Sequence, residues 1–156
     1  MTAPTLLFRV FLAIAAALIL AACTSSVPMA TSAEDAEGKS FRAPPPGEAA
    51  LYIFRSAAGL GGGEVVFTPT IGQRVLGGLA PRTWLRVDLP AGRHDLRCLG
   101  GENQGNLALS LVPQEIKFIK IDVGSGWANY RCHFVEVDAA TGRAEILHGN
   151  RAQDIR

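Results

Sequence analysis

Apolar and polar positions divide this chain into three stretches. Residues 10–20 (VFLAIAAALIL) are apolar throughout, residues 24–48 carry no apolar periodicity, and from residue 49 onward short runs alternate apolar with polar. Alternation at period 2 marks strands with one buried face. Residues 49–55 carry Leu51 and Ile53 on one face and Tyr52 and Phe54 on the other, so they are apolar on both faces and suit a central strand. Residues 64–71 read as a strand, Gly72-Gln73 as its turn and residues 74–79 as the returning arm. Pro69, with no N–H to donate, then belongs on an edge or at a bulge. In residues 83–89, Thr83, Leu85, Val87 and Leu89 face inward and Trp84, Arg86 and Asp88 outward. Pro90-Ala91-Gly92 turns the chain into a strand over 93–99. After a polar loop at 100–105, strands follow at 106–112, 115–123 and 128–137, broken by Pro113-Gln114 and Gly124-Ser125-Gly126. The last apolar piece, 144–147, is a strand or one helical turn, and no helix of ten residues or more is expected.

This pattern predicts an all-β domain over residues 49–148, a small antiparallel β-sandwich of about seven to eight strands, with a small barrel as the alternative. Residues 149–156 remain as a C-terminal tail.

Ahead of the domain, residues 1–9 carry one side-chain cation, Arg9, before the apolar run. That run is shorter than the ~20 residues needed to cross a bilayer and has the length of a signal-peptide core. It closes on Leu20-Ala21-Ala22-Cys23. The sequence resembles the lipobox of bacterial lipoproteins, which implies cleavage after residue 22, a diacylglycerol on the Cys23 sulfur and acylation of the new amino terminus. Two or more acyl chains anchor a protein stably at about 0.8 kcal/mol per buried methylene. Thr24, where an Asp would retain an enterobacterial lipoprotein in the inner membrane, implies the outer membrane and its periplasmic face. The competing readings are a secretory signal with a chance cysteine and an uncleaved anchor.

Residues 23–48 are rich in Ser, Thr, Ala, Pro and Gly and end in Ala43-Pro44-Pro45-Pro46-Gly47. Such a composition buries too little apolar surface to offset ordering, so it reads as a lipidated, disordered tether. A flexible chain of that length spans roughly 25 to 30 Å, enough to hold a domain clear of the headgroups. Without residues 1–22 the chain has equal numbers of basic and acidic side chains, 14 of each, and so lacks the basic excess of a nucleic-acid binder.

Cys98 and Cys132 both fall in predicted strands of an exported domain, where a disulfide is favoured. It would contribute about 3.5 to 4 kcal/mol; two separate buried thiols are the other possibility. A metal site built from His94, Cys98, Cys132 and His133 is disfavoured. Along a strand His94 and Cys98 lie about 13 Å apart, and Cys132 and His133 point to opposite faces. No cofactor is expected. Ser56, Ser110 and Ser125 lack a nucleophile-elbow context. Residues 59–63 (GLGGG in 59–63) precede a strand without the Lys-Ser pair of a phosphate loop, and read as a plain loop. Arg82, Trp84, Arg86 and, in a separate loop, Trp127 form the candidate binding surface, because outward Trp and Arg side chains stack on sugars or anchor partners; the competing reading is an ordinary exposed strand.

The succession Pro44-Pro45-Pro46-Gly47, Leu51-Tyr52-Ile53-Phe54-Arg55, a hairpin, Leu89-Pro90-Ala91-Gly92-Arg93-His94, and Val135-Glu136-Val137-Asp138 followed by an Ala-rich turn and Gly142 resembles a family of small Gram-negative lipoproteins. Their shared domain has no assigned function and is similar to short prealbumin-like sandwiches. The resemblance spans roughly residues 44–148 and implies no catalytic residue. The expected function is a non-enzymatic envelope lipoprotein whose sandwich binds an envelope protein or glycan. The alternatives are a periplasmic small-ligand carrier or inhibitor and, least supported, a hydrolase of envelope polymers.

Overall fold

The computed structural model describes residues 26–57, 65–99 and 105–155; the leader, Cys23 and the glycine-rich loop at 59–63 lie outside the described residues. Among the described residues nine strands form two sheets. One sheet has the order β8-β7-β1-β4-β9, with β1 at Glu48–Phe54, β4 at Thr83–Pro90, β7 at Ile116–Ser125, β8 at Tyr130–Val137 and β9 at Asn150–Arg151. The other has the order β3-β2-β5-β6, with β2 at Thr68–Ile71, β3 at Arg74–Val75, β5 at Gly92–Leu99 and β6 at Asn106–Leu111. The β-sandwich is therefore as predicted, with two departures from a purely antiparallel arrangement: β1 pairs with β7, and β4 with β9, in parallel. The chain crosses to the second sheet through β5 and β6 and returns beside the start of β1, where the Gln114 N–H donates to the Glu48 carbonyl at 2.7 Å. β7 consequently starts at the same end as β1.

Leu51, Ile53, Leu85, Val87, Ile119 and Ile121 from the first sheet meet Ile71, Leu96, Leu109 and Leu111 from the second, and all are buried. The second sheet's outer face is open to solvent: along β5, exposed Arg93, Asp95 and Arg97 surround buried Leu96 and Cys98. The first sheet is covered on both faces around β1, β4 and the start of β7. Its outer side carries a second buried cluster of Ala50, Tyr52, Phe54, Trp84, Phe118 and Ile146, roofed by α1 (Ser32–Lys39) and α2 (Ala139–His148). The result is a sandwich with a third, helical layer, which explains why β1 is apolar on both faces.

The helices occupy the stretch read as tether and the turn and last apolar piece read as a strand or one helical turn. In α1 the Thr31 hydroxyl accepts the Glu34 N–H and the Glu34 carboxylate accepts the Thr31 N–H at 2.9 Å, a reciprocal capping box. Lys39 and Asp35 add an i,i+4 ion pair at 2.7 Å. Its docking depends on Gly38, which is buried against the Trp84 indole so closely that a methyl group there would overlap the ring. The Tyr52 hydroxyl donates to the Gly38 carbonyl at 2.7 Å. A helix docked through a glycine and through hydrogen bonds from Tyr52 and Arg151 needs no apolar stripe, so no periodicity announced it. Residues 26–48, expected as a disordered tether, thus belong to the fold from Ser26 onward.

Residues 149–156, expected as a loose tail, contain β9 and a clip across the open edge of the sandwich. The Ala152 N–H donates to Trp84 O (2.8 Å), the Gln153 N–H to Pro28 O (2.8 Å), the Ala30 N–H to Arg151 O (3.0 Å) and the Ile155 N–H to Leu76 O (3.0 Å). Four hydrogen bonds tie the N-terminal segment and both sheets together. On the opposite side Cys98 of β5 and Cys132 of β8 form a disulfide, with Cα atoms 6.4 Å apart. Pro69 is neither exposed nor on an edge strand. It is buried in β2 opposite Cys98, and beyond the two-residue arm of β3 its carbonyl accepts the Leu76 N–H at 3.0 Å.

Helix α2, longer than the single turn anticipated at 144–147, starts at an N-cap, Asp138, whose carboxylate accepts the Ala140 and Thr141 N–H groups at 2.9 Å each. These bonds, those from Thr141 foremost, hold the Asp138 carboxyl below the usual carboxylate range. A depressed folded pKa gives stability that is complete above the unfolded value and is lost as pH falls through the folded one. Acidification below about pH 4 is therefore expected to loosen α2 before the sheets. Asp138→Ala should lower stability at neutral pH and flatten this acid limb, as followed by amide exchange at Ile146. Equal acid sensitivity in the two proteins would count against the cap.

Candidate functional site

The candidate surface read from the sequence is dispersed by the fold. Trp84 is fully buried, because the helical layer covers the outer face of β4, and it cannot contact a partner. Arg86 is 8% exposed and also lies under that layer. Arg82 is exposed at the start of β4, beside a surface hollow lined with Thr141, Glu145 and His148 of α2. Trp127 is 97% exposed at the tip of the β7–β8 hairpin, on the far edge of the sheet from β9. Arg86 alone leads to a built polar site.

β9 pairs only with Thr83 and Trp84, so the rest of β4 beyond it faces a cleft of about 290 Å³ between α1, β3 and the C-terminal clip. At its floor the Arg86 guanidinium forks onto Asp88, with Nε at 3.0 Å from Oδ1 and Nη2 at 3.4 Å from Oδ2. Its Nη1 donates to the Tyr52 hydroxyl at 3.3 Å, and its guanidinium carbon lies 5.6 Å from the Tyr52 ring centre. Burial opposes the charge on Arg86, but Asp88 and Tyr52 outweigh it and hold the guanidinium protonated. Burial also pushes the Tyr52 phenol up, against the pull of Arg86, so it stays a neutral donor. Arg86 is buried and Asp88 half-buried, so removing the carboxylate would strand the guanidinium charge.

Three more arginines rim the cleft. Arg74 pairs with Asp154 at 2.5 Å and Arg42 with Glu37 at 2.9 Å, with the arginine side chains 44% and 66% exposed. Arg151 donates from Nη1 to Glu34 O at 3.0 Å and lies over the Trp84 ring at 5.7 Å. The second carboxylate oxygen of Asp154, Oδ1, is buried with no hydrogen-bond partner among the described residues. The walls thus set three guanidinium groups, each paired with a carboxylate or a backbone carbonyl, around the Arg86–Asp88 floor. The described lining is made of four arginines, three carboxylates, Gly38 and Val87.

Arg86 was visible in the sequence, but Asp88 two positions on was the signal for its partner: residues i and i+2 share a strand face. Arg42, Arg74 and the pair Arg151 and Asp154 lie on three separated stretches and had no local mark. Cys98 and Cys132 are joined to each other, which removes both as metal ligands, and the His94 ring is 2.8 Å from the Pro90 carbonyl. Among the described residues no group of three or more His, Cys, Asp or Glu is placed to hold a metal ion.

Searches against protein-family models, curated proteins and solved structures find no match.

Proposed function

We propose that this protein is a non-enzymatic envelope lipoprotein, anchored by acylated Cys23 at the periplasmic face of the outer membrane, whose arginine-rimmed cleft binds an envelope component. The observation that carries the binding reading is the cleft itself: a part-buried Arg86–Asp88 fork, backed by Tyr52 and flanked by exposed Arg42 and Arg74. Such a surface suits a polar, anionic group on a glycan or protein, since guanidinium forks match carboxylates and phosphates. The leader, the lipobox and the disulfide across the two sheets support an exported domain. An apolar-ligand carrier is less favoured, because the space between the sheets is filled by the protein's own side chains.

The test is cross-linking of the full-length protein in native envelopes, read by mass spectrometry beside Cys23→Ala and Arg42→Ala/Arg74→Ala versions. We expect a specific component with the wild type, its loss with Cys23→Ala, and at least tenfold weaker capture with the arginine pair at an unchanged melting temperature. Identical captures from the wild type and the arginine variant would remove the cleft from the reading.

A further inference from the structure

The structure fixes how far the domain can stand from its anchor. The first residue pinned by a backbone hydrogen bond is Pro28, whose carbonyl accepts the Gln153 N–H. Met29 then bridges to Ala152, and Val27 packs against the core. Between Cys23 and Pro28 the chain advances five residues, at most about 18 Å if fully extended. A domain of this size has a radius of gyration of about 13 Å, so the available chain is shorter than the domain is wide.

Three large apolar side chains stand exposed on the segments of this seam: Met29 at 45%, Val75 at 36% and Ile155 at 56%. Their backbones are joined by the clip, Ile155 to Leu76 beside Val75 and Met29 to Ala152. Arg74, 44% exposed and paired with Asp154 at 2.5 Å, lies beside them. By contrast the exposed Trp127 lies across the sheet, with β7, β1 and β4 between the strand it leads into and β9, roughly 19 Å away at the usual strand spacing.

We propose that the seam of Met29, Val75 and Ile155 rests on the lipid surface itself, holding the domain flush on the bilayer with the cleft beside the headgroups. This rests on the reading of Cys23 as acylated. Apolar side chains at the boundary of headgroups and acyl chains gain burial.

The test reconstitutes full-length protein, purified from a Gram-negative host, into vesicles of phosphatidylethanolamine and phosphatidylglycerol containing dibrominated acyl chains. Two proteins are compared: the wild type, whose exposed indole is Trp127, and an Ile155→Trp/Trp127→Phe variant, whose exposed indole lies on the seam. Intact-mass measurement of acylation and vesicle flotation accompany each. We expect both to be acylated and to float, with quenching at the seam indole at least threefold that at Trp127. Acylated, floating protein with equal quenching at the two positions would overturn the seating and leave the anchor intact. Unmodified protein that does not float would overturn the anchor, and the seating with it.

Discussion

Trp84→Ala is expected to cost about 3 to 5 kcal/mol, much of the stability of a domain this size. Trp84 is fully buried, its ring 5.8 Å from that of Tyr52, with Gly38 against one end and Gly149 near the other. Truncation would leave a cavity spanning the interface between α1, β9 and the first sheet. The helical layer should therefore detach first, exposing Tyr52 and Phe118, which stack at 5.2 Å beneath it. Urea unfolding followed by far-ultraviolet circular dichroism measures the loss. Trp127→Ala, at a 97% exposed position, is the companion and should stay within about 0.5 kcal/mol of the wild type. An unshifted midpoint for Trp84→Ala would place the indole outside the core.

The second large effect concerns the disulfide. Cys98 and Cys132 are separated by 34 positions, and closing a loop of that length removes unfolded-state entropy equivalent to about 4 kcal/mol. The bridge joins β5 of one sheet to the edge strand β8 of the other. It secures the side of the sandwich opposite the C-terminal clip. The Cys98→Ala/Cys132→Ala protein should unfold at markedly lower urea concentration, and addition of reductant should shift the wild type toward it without moving the double variant. Coincident transitions for oxidised and reduced wild type would show that the bridge contributes nothing.

These two residues show different degrees of legibility. The cysteine pair was readable because export and strand placement act on few candidates, and only distance stayed open; the fold supplied it as a 6.4 Å Cα separation. Trp84 was placed on the correct face of a correctly read strand, yet its environment was reversed. Alternation specifies which residues share a face and says nothing about what covers it. Neither α1 nor α2 advertises an apolar stripe, since each meets the sheet through a glycine: Gly38 on Trp84 and Gly142 on Phe118. The one local signal for α1 was the Thr31–Glu34 capping box, concealed in a segment whose composition reads as disordered.

The cleft shows the same division. Arg86 and Asp88 are neighbours on one strand face, so their fork was implicit in the spacing. Arg42, Arg74, Arg151 and Asp154 converge only because the C-terminal clip crosses to both sheets and α1 folds back over β4.

By itself, then, the sequence determined the main strands of both sheets, most of their inward faces and turns, and the cysteine pair as a candidate bridge, because side-chain alternation and turn chemistry are short-range. The tertiary structure decided the helical roof, the order of the strands, the burial of Trp84 and the sealing of the sandwich by residues 150–155. Those features depend on contacts such as Arg151 with Glu34 and Asp35, more than a hundred residues apart, and no local pattern encodes which distant segment will satisfy an exposed edge.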